Sequence, residues 1–387
     1  MRVFLDHNAG SPLRPEAVAA IVEFSRSRHG NPASVHRSGQ SARKLLEESR
    51  RCVADLIGAS PREIVFTSGG TESNNLAIEG AIRRAGARRR IITSSIEHSS
   101  LLAPLMSLEG RGFEVVKVAP DREGRVPSET VEALIDESVA LVTLGLVNAE
   151  TGVIQDVSSA GRRANEAGAF FHLDAAQALG RIPIDAASIG CDLMTLSGHK
   201  IGAPSGIGVL FVRESCAIAP VMLGGPQEGG LRAGTQNLLG AAAFGAAARA
   251  VSATMAEETA RIAAMTEALL QGLERSIPGL ALNGPRHGRV CNTINLSFPG
   301  VLGESMLIAL DLEGIEVSMG SACAAGAVEP SHVLVAMGRS EAEARSSLRL
   351  SLGWSTRPEE IARALEVIAR VWRRVADAEP VVAEALR

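Results

Sequence analysis

The sequence predicts an α/β fold, a mostly parallel sheet covered by helices, joined to a smaller α+β domain. Two observations carry this. Short apolar runs alternate with amphipathic stretches from about residue 63 to 212, and the runs are too continuously apolar for half-exposed strands. An Ala-rich stretch from about 238 to 276 then separates this region from one that mixes strands and amphipathic helices. The expected division is a large domain over 15–250 and a small one formed by 1–14 with 251–387.

Residues 1–14 are turn-rich, with Asn8, Gly10 and Pro12 in quick succession. A helix is expected from Pro15 to Phe24 and another from about Ser41 to Ile57, the latter with Leu45, Leu46, Val53 and Leu56 on one side. Glu63 to Thr67 reads as a strand, Ser68-Gly69-Gly70 as a turn, and Thr71 to Leu76 as the start of a helix. Further strands are predicted at 90–95, 113–118, 140–147, 169–174, 193–197 and 207–212, with helices near 98–109, 128–136 and 157–167. The remainder supplies strands at 292–297, 315–318 and 347–351 and closing helices at 359–375 and 381–386.

A chain of 387 residues can bury a large core and a second, smaller one. With 46% hydrophobic and 21% charged residues it reads as a soluble enzyme, and a net charge of −4 gives no nucleic-acid footprint. The one basic run, Arg83 to Arg90, falls where a helix should end and caps its dipole. The apolar start, Met1 to Leu5, is too short for a signal peptide, and no apolar run suggests a membrane span. Five scattered cysteines (52, 191, 216, 291 and 323) lack the paired spacing of metal or disulfide sites, which fits free thiols in a reducing cytoplasm.

Ligands of open parallel sheets bind beyond the carboxyl ends of the strands, and four candidate groups fall there. Lys200, in Leu196-Ser197-Gly198-His199-Lys200, ends an apolar run where desolvation would free its amine for an aldehyde. Asp174 closes the run Ala169 to Leu173, where a carboxylate needs a cationic partner or a helix to cap. His98 follows the 90–95 strand at a helix start. Gly69-Gly70-Thr71 offers backbone N–H groups and a hydroxyl at a helix N-terminus, a phosphate cradle. A lysine, a carboxylate, a phosphate site and a flat ring are what pyridoxal phosphate requires.

These residues stand in motifs that extend the likeness over nearly the whole chain. They include Gly30 to Ser34, Thr67 to Ser73, Glu97-His98, His172 to Gln177, Ser197 to Lys200, Arg232-Ala233-Gly234-Thr235, Gly320 to Cys323, Glu329 to Val333 and Leu348 to Gly353. In them the chain resembles the cysteine desulfurases, of the class V aminotransferase group within fold type I pyridoxal-phosphate enzymes. The resemblance implies that Lys200 carries the cofactor as a Schiff base and that Asp174 pairs with its ring nitrogen. It implies that His98 stacks on the ring and moves protons, and that Gln177 binds the ring hydroxyl. Gly70, Thr71, Ser197 and His199 would hold the phosphate, and Thr235 would reach the phosphate of a partner subunit, which implies a homodimer. Arg349 would grip the substrate carboxylate with its planar fork, with Asn148 nearby.

Cys323 separates a desulfurase from a transaminase. It sits in Ser318 to Ala327, a run of small residues with little to bury, which predicts a mobile segment. A thiolate there could take sulfur from L-cysteine as a persulfide, release L-alanine, and pass the sulfur to an acceptor or scaffold protein for iron–sulfur cluster assembly or thiolation. Selenocysteine lyase and aminotransferase activities are the alternatives on the same fold, and a non-catalytic assembly subunit is the alternative from another class. Two departures stand out: Ala9-Gly10-Ser11-Pro12 replaces the family's Ala-Thr-Thr-Pro, and Ala149 replaces the second of two asparagines before Glu150. Ala149 has no side-chain hydrogen bond to offer, so substrate binding should lean on Arg349.

Overall fold

The structure, a computed structural model, describes residues 2–320 and 329–378. Seven strands form the main sheet in the spatial order Ile64–Thr67, Gly208–Val212, Leu193–Ser197, Phe170–Asp174, Val139–Gly145, Arg90–Ser94 and Glu114–Val118. All run parallel except Gly208–Val212, which is antiparallel to both neighbours. The reversal has a simple cause: no crossover helix separates Ser197 from Gly208, so the chain folds straight back. Gly208 also permits a close approach, since a Cβ there would lie 2.6 Å from the backbone of Gly69. The turn that opens the helix Gly70–Ile82 is thereby pressed onto the sheet.

Leu193–Ser197 and Gly208–Val212 are buried along their whole length, which explains their unbroken apolar character. One face packs on Leu46, Val53, Phe171 and Phe244; the other on Leu76, Ile78, Leu101 and Leu105. Each fully buried side chain of this size stabilises the fold by about 1.5–3 kcal/mol relative to exposure. Strand ends in the main sheet fall within two residues of their predicted positions. The second helix is the larger difference: it spans Arg37–Leu56, because the His36 side chain accepts the Gly39 N–H and caps it early.

A second core gathers Val3, Leu5, Leu269, Ile294, Leu348, Leu350 and Ile368. Around it lie an antiparallel sheet, ordered Ser347–Ser351, Thr293–Ser297 and Ala281–Leu282, and the parallel pair Val3–Phe4 with Ile315–Glu316. The helix Leu238–Ser276 joins the two cores: Phe244, Ala248 and Val251 pack in the first, Ile262, Leu269 and Leu273 in the second. By length and composition this helix, in which an 18-residue window has a mean hydropathy of 1.3, is long and apolar enough to cross a membrane, although its sequence alone did not suggest a span. Here its first half packs against Pro15–Arg26 and Arg37–Leu56. The helix expected at 381–386 lies outside the described residues, as does Cys323.

Candidate active site

Beyond the carboxyl ends of the strands lies a cavity of about 540 Å³, and Lys200, Asp174, His98, Gly70, Thr71, Gln177, Ser197, His199, Asn148 and Arg349 all line it. Another cavity of about 580 Å³, between Arg43, Arg50, Arg62 and Cys216, is slightly larger but gathers none of these groups. Chemistry, not size, picks out the site.

Lys200 ends a single helical turn, Gly198–Lys200, directly after its strand. Its Nζ donates to the carbonyl of Asn8 at 2.5 Å and of Ala9 at 3.1 Å. Burial, then the guanidinium groups of Arg181 and Arg349, push the amine down to about 7, against the opposing pull of Asp174 and Asp6. A large fraction is therefore uncharged near neutral pH, the form that attacks an aldehyde.

Asp174 is the last residue of its strand, in register with Gly145 and Thr195 on either side. Its carboxylate accepts from Asn74 Nδ2 at 2.8 Å and from the Ala176 N–H at 3.0 Å. Two residues back, the His172 ring is fixed between the hydroxyls of Thr143 and Thr195 at 2.8 and 3.0 Å, and burial lowers it to about 4. The strand end is thus anchored through three neighbouring strands.

His98 caps the helix Ser99–Glu109, its Nδ1 accepting the Ser100 N–H at 3.1 Å. That leaves the proton of a neutral ring on Nε2. Burial lowers the His98 pKa first, with Lys200 and His332 adding to it and Asp174 opposing. Ser100 Oγ lies 2.7 Å from His98 Nδ1 and accepts from Asn74 Nδ2 at 2.8 Å. His98, Ser100, Asn74 and Asp174 therefore form one connected network.

The phosphate cradle lies opposite. Gly70 opens a 13-residue helix whose first N–H groups lack intrahelical partners. A Cβ on Gly70 would sit 3.6 Å from Ser197 Cβ, and Ser197 Oγ is 3.0 Å from His199 Nδ1. Burial and then the Lys200 charge lower His199 to about 4. Glu72, the acid in the helix's first turn, is held by Arg232 at 2.8 Å and by the Ser68 N–H at 2.7 Å, which offsets its charge.

At the other end, Arg349 projects from Ser347–Ser351. Its Nη1 donates to the carbonyls of Ala149 at 3.2 Å and Gly320 at 3.0 Å, and its Nη2 to Asp6 at 2.7 Å. Its Nε is buried and has no partner among the described residues. Gln177 donates to the Asn8 carbonyl at 3.1 Å and accepts from Arg181. Asn148 lines the cavity, and its side-chain oxygen accepts from Glu150 N, Thr151 N and Thr151 Oγ1, while its amide donates to the Ile96 carbonyl. It holds a turn, so any effect on substrate runs through that turn. Thr235 is exposed and does not line this cavity. Cys323 lies outside the described residues.

Sequence reasoning missed Asn74, Ser100, Asp6, Arg181 and Glu150. Asn74 follows Thr71 by three residues on one helix, a spacing that pointed it the same way. The others gave no local signal.

The residues present fit pyridoxal phosphate. The buried side-chain oxygen of Asn74 has no partner among the described residues, in a pocket that also holds a depressed lysine amine and the N–H groups of a helix N-terminus. A lysine at a strand end, an aspartate at the next, and a seven-stranded sheet with one reversed strand define the fold type I pyridoxal-phosphate class. Within that class the chain belongs to the aminotransferase class-V family, whose model matches residues 3–364. It is 39% identical over 379 residues to cysteine desulfurase IscS of Dictyoglomus turgidum, covering 98% of this chain and 96% of that one. It is 38% identical to cysteine desulfurase IscS of Methanosarcina thermophila, covering 100% of this chain and 95% of the relative. A solved NifS-like protein superimposes with a TM-score of 0.91 at 32% identity, covering 97% of this chain and 100% of that one. The structure of SspA in complex with cysteine does so with a TM-score of 0.81 at 33% identity, covering 91% of this chain and 99% of that one.

Proposed function

We propose that this protein is a pyridoxal-phosphate-dependent cysteine desulfurase that converts L-cysteine to L-alanine and leaves the sulfur as a persulfide on Cys323. The observation that carries this is one cavity shared by a buried, depressed lysine amine and an arginine whose buried Nε has no partner among the described residues. SspA, of the same fold, was solved with cysteine, which supports that substrate here. Selenocysteine lyase and aminotransferase activities are not favoured by relatives that carry the desulfurase name.

When bound, pyridoxal phosphate supplies an aldehyde for amines and an electron sink for the carbon that loses a proton. Gly70, Thr71, Ser197 and His199 would hold its phosphate, Asp174, fixed by Asn74, would pair with its ring nitrogen, His98 would pack against the ring, and Gln177 would bind the ring hydroxyl. Arg349 turns from the carbonyls of Ala149 and Gly320 to the substrate carboxylate. Lys200 Nζ, which burial lowers to about 7, would be the base for the Cα proton. The Cys323 thiolate attacks the substrate sulfur: an S–S bond forms, the C–S bond breaks, and its electron pair stays on carbon, where a proton completes alanine. Cysteine and a thiol thus become alanine and a persulfide, with atoms and electrons balanced.

A homodimer belongs to this reading. Thr235 is exposed and does not line its own cavity, and Met222 and Leu223 earlier in the chain are exposed too, which suits a contact with a second copy. So do a cytoplasmic location, supported by four free thiols among the described residues, and delivery of sulfur to a scaffold or acceptor protein for iron–sulfur cluster assembly or thiolation. The test is a visible absorbance band on adding pyridoxal phosphate, with alanine and sulfide released from cysteine plus a reductant. Lys200→Ala should lose the band, while Cys323→Ser should keep it and lose sulfide release. A colourless wild-type protein, or unchanged sulfide from Cys323→Ser, overturns the proposal; a non-catalytic subunit would release no alanine.

A further inference from the structure

Asn8 is 1% exposed, lines the cavity, and has every polar atom engaged. Its N–H donates to Ser351 Oγ at 2.9 Å, and its side-chain oxygen accepts from Asn292 Nδ2 at 3.1 Å. Its Nδ2 gives one N–H to Thr293 Oγ1 at 2.9 Å and the other to the Ala149 carbonyl at 3.0 Å. A carbonyl only accepts, so the Ala149 contact fixes which way the carboxamide faces.

Two acceptors in this set are shared with groups that let go when ligands arrive. The Ala149 carbonyl takes Asn8 Nδ2 and also Arg349 Nη1, the latter at 3.2 Å. The Asn8 carbonyl takes Lys200 Nζ at 2.5 Å and Gln177 Nε2 at 3.1 Å. A carbonyl oxygen has two lone pairs, so each holds both donors at once. When Lys200 turns to an aldehyde, Gln177 still holds the Asn8 carbonyl. When Arg349 turns to a carboxylate, Asn8 still holds that of Ala149. Without the second donor, each departure would leave an acceptor unsatisfied in a cavity from which the ligand excludes water, and binding would weaken by that cost.

We propose that Asn8 is a positioning residue for substrate: its carboxamide keeps hold of the Ala149 carbonyl and so releases Arg349 to the substrate carboxylate. This rests on the reading of Arg349 as the group that grips that carboxylate. Asn292 and Thr293, at the start of a small-domain strand, hold the carboxamide whether or not Arg349 stays. The Gly320 carbonyl, the other acceptor of Nη1, loses its donor with or without Asn8 and so cancels from the comparison. The side chain of Asn8 serves only the Arg349 end, since Lys200 is held by the main-chain carbonyl. Side-chain variants should therefore leave cofactor capture unchanged.

The experiment uses the holoenzyme and two amines that differ by one carboxylate, L-alanine and ethylamine, with binding followed as a shift of the visible band. In Asn8→Ala the Kd for L-alanine should rise about 10-fold, the scale of one acceptor left without its bond, while that for ethylamine should hold. Asn8→Asp keeps the shape and the Asn292 contact but has no N–H for Ala149, so it should weaken L-alanine at least as much. In an Arg349→Ala background, where there is nothing to release, adding Asn8→Ala should change the L-alanine Kd by less than about twofold. Equal weakening of both amines would make Asn8 purely structural and overturns the proposal. So does an unchanged L-alanine Kd in both Asn8 variants, or an effect of Asn8→Ala that persists in full without Arg349. If Arg349→Ala by itself leaves the L-alanine Kd unchanged, the carboxylate reading fails and takes this role of Asn8 with it. A loss in Arg349→Ala with none in either Asn8 variant strikes the role of Asn8 alone.

Discussion

At the Lys200 end of the cavity, Asp174, Ser197 and Lys200 sit at or just beyond the ends of adjacent strands in one sheet. At the Arg349 end, Asp6, Glu150, Gly320, Ser331 and Arg349 arrive from separate parts of the chain, and the Asp6–Arg349 ion pair joins residues 343 positions apart. Adjacent strands lie about 4.8 Å apart by backbone hydrogen bonding alone, so the first end is placed by the ladder. The second depends on how the small domain packs on the large one. It is also where the polar contacts are provisional: Arg349 holds carbonyls that a substrate carboxylate can replace, whereas Asp174 is already fixed by Asn74 and the Ala176 N–H.

This contrast can be broken most directly at Arg349. Arg349→Lys keeps a charge but loses the fork, and losing a charge-assisted bond of about 1.5–3 kcal/mol should lower kcat/KM for cysteine roughly 10- to 100-fold. The visible band should stay, because lysine keeps the positive charge that Arg349 places near Lys200. Loss of the band would show that the two ends are not separable.

A smaller effect sharpens the Lys200 end. With the amine held near 7, the uncharged fraction falls about tenfold per pH unit below that value and levels off above it. The rate at which apoprotein captures pyridoxal phosphate, followed by absorbance, should therefore rise with pH up to about 7 and then flatten. A rate still climbing towards the ordinary lysine range would mean that burial does not depress the amine.

The smallest change is Ala149→Asn. It restores a carboxamide beside the Arg349 contact, and one net hydrogen bond of about 0.5–1.5 kcal/mol should lower the KM for cysteine roughly 2- to 10-fold. An unchanged KM would mean that Arg349 alone sets carboxylate binding.

The same contrast governs what could be read from the sequence. Lys200, Asp174, His98 and Gly70 each follow an apolar run, so their place at the edge of the sheet was legible in the order of residues alone. Asn74 was half-legible, sharing a helix with Thr71. Asp6, Glu150 and Ser331 were not, since nothing local distinguishes a buried carboxyl or hydroxyl from an exposed one. Nor does the spacing of the motif reveal that the Asn148 oxygen caps a turn.

By itself the sequence determined the alternation of elements, the parallel sheet and the kind of chemistry, because apolar periodicity and strand-end residues are local properties. Only the tertiary structure decided which charges meet and how far an amine or a carboxyl is shifted. Those depend on burial and on neighbours hundreds of residues away, and neither is encoded in any single stretch of chain.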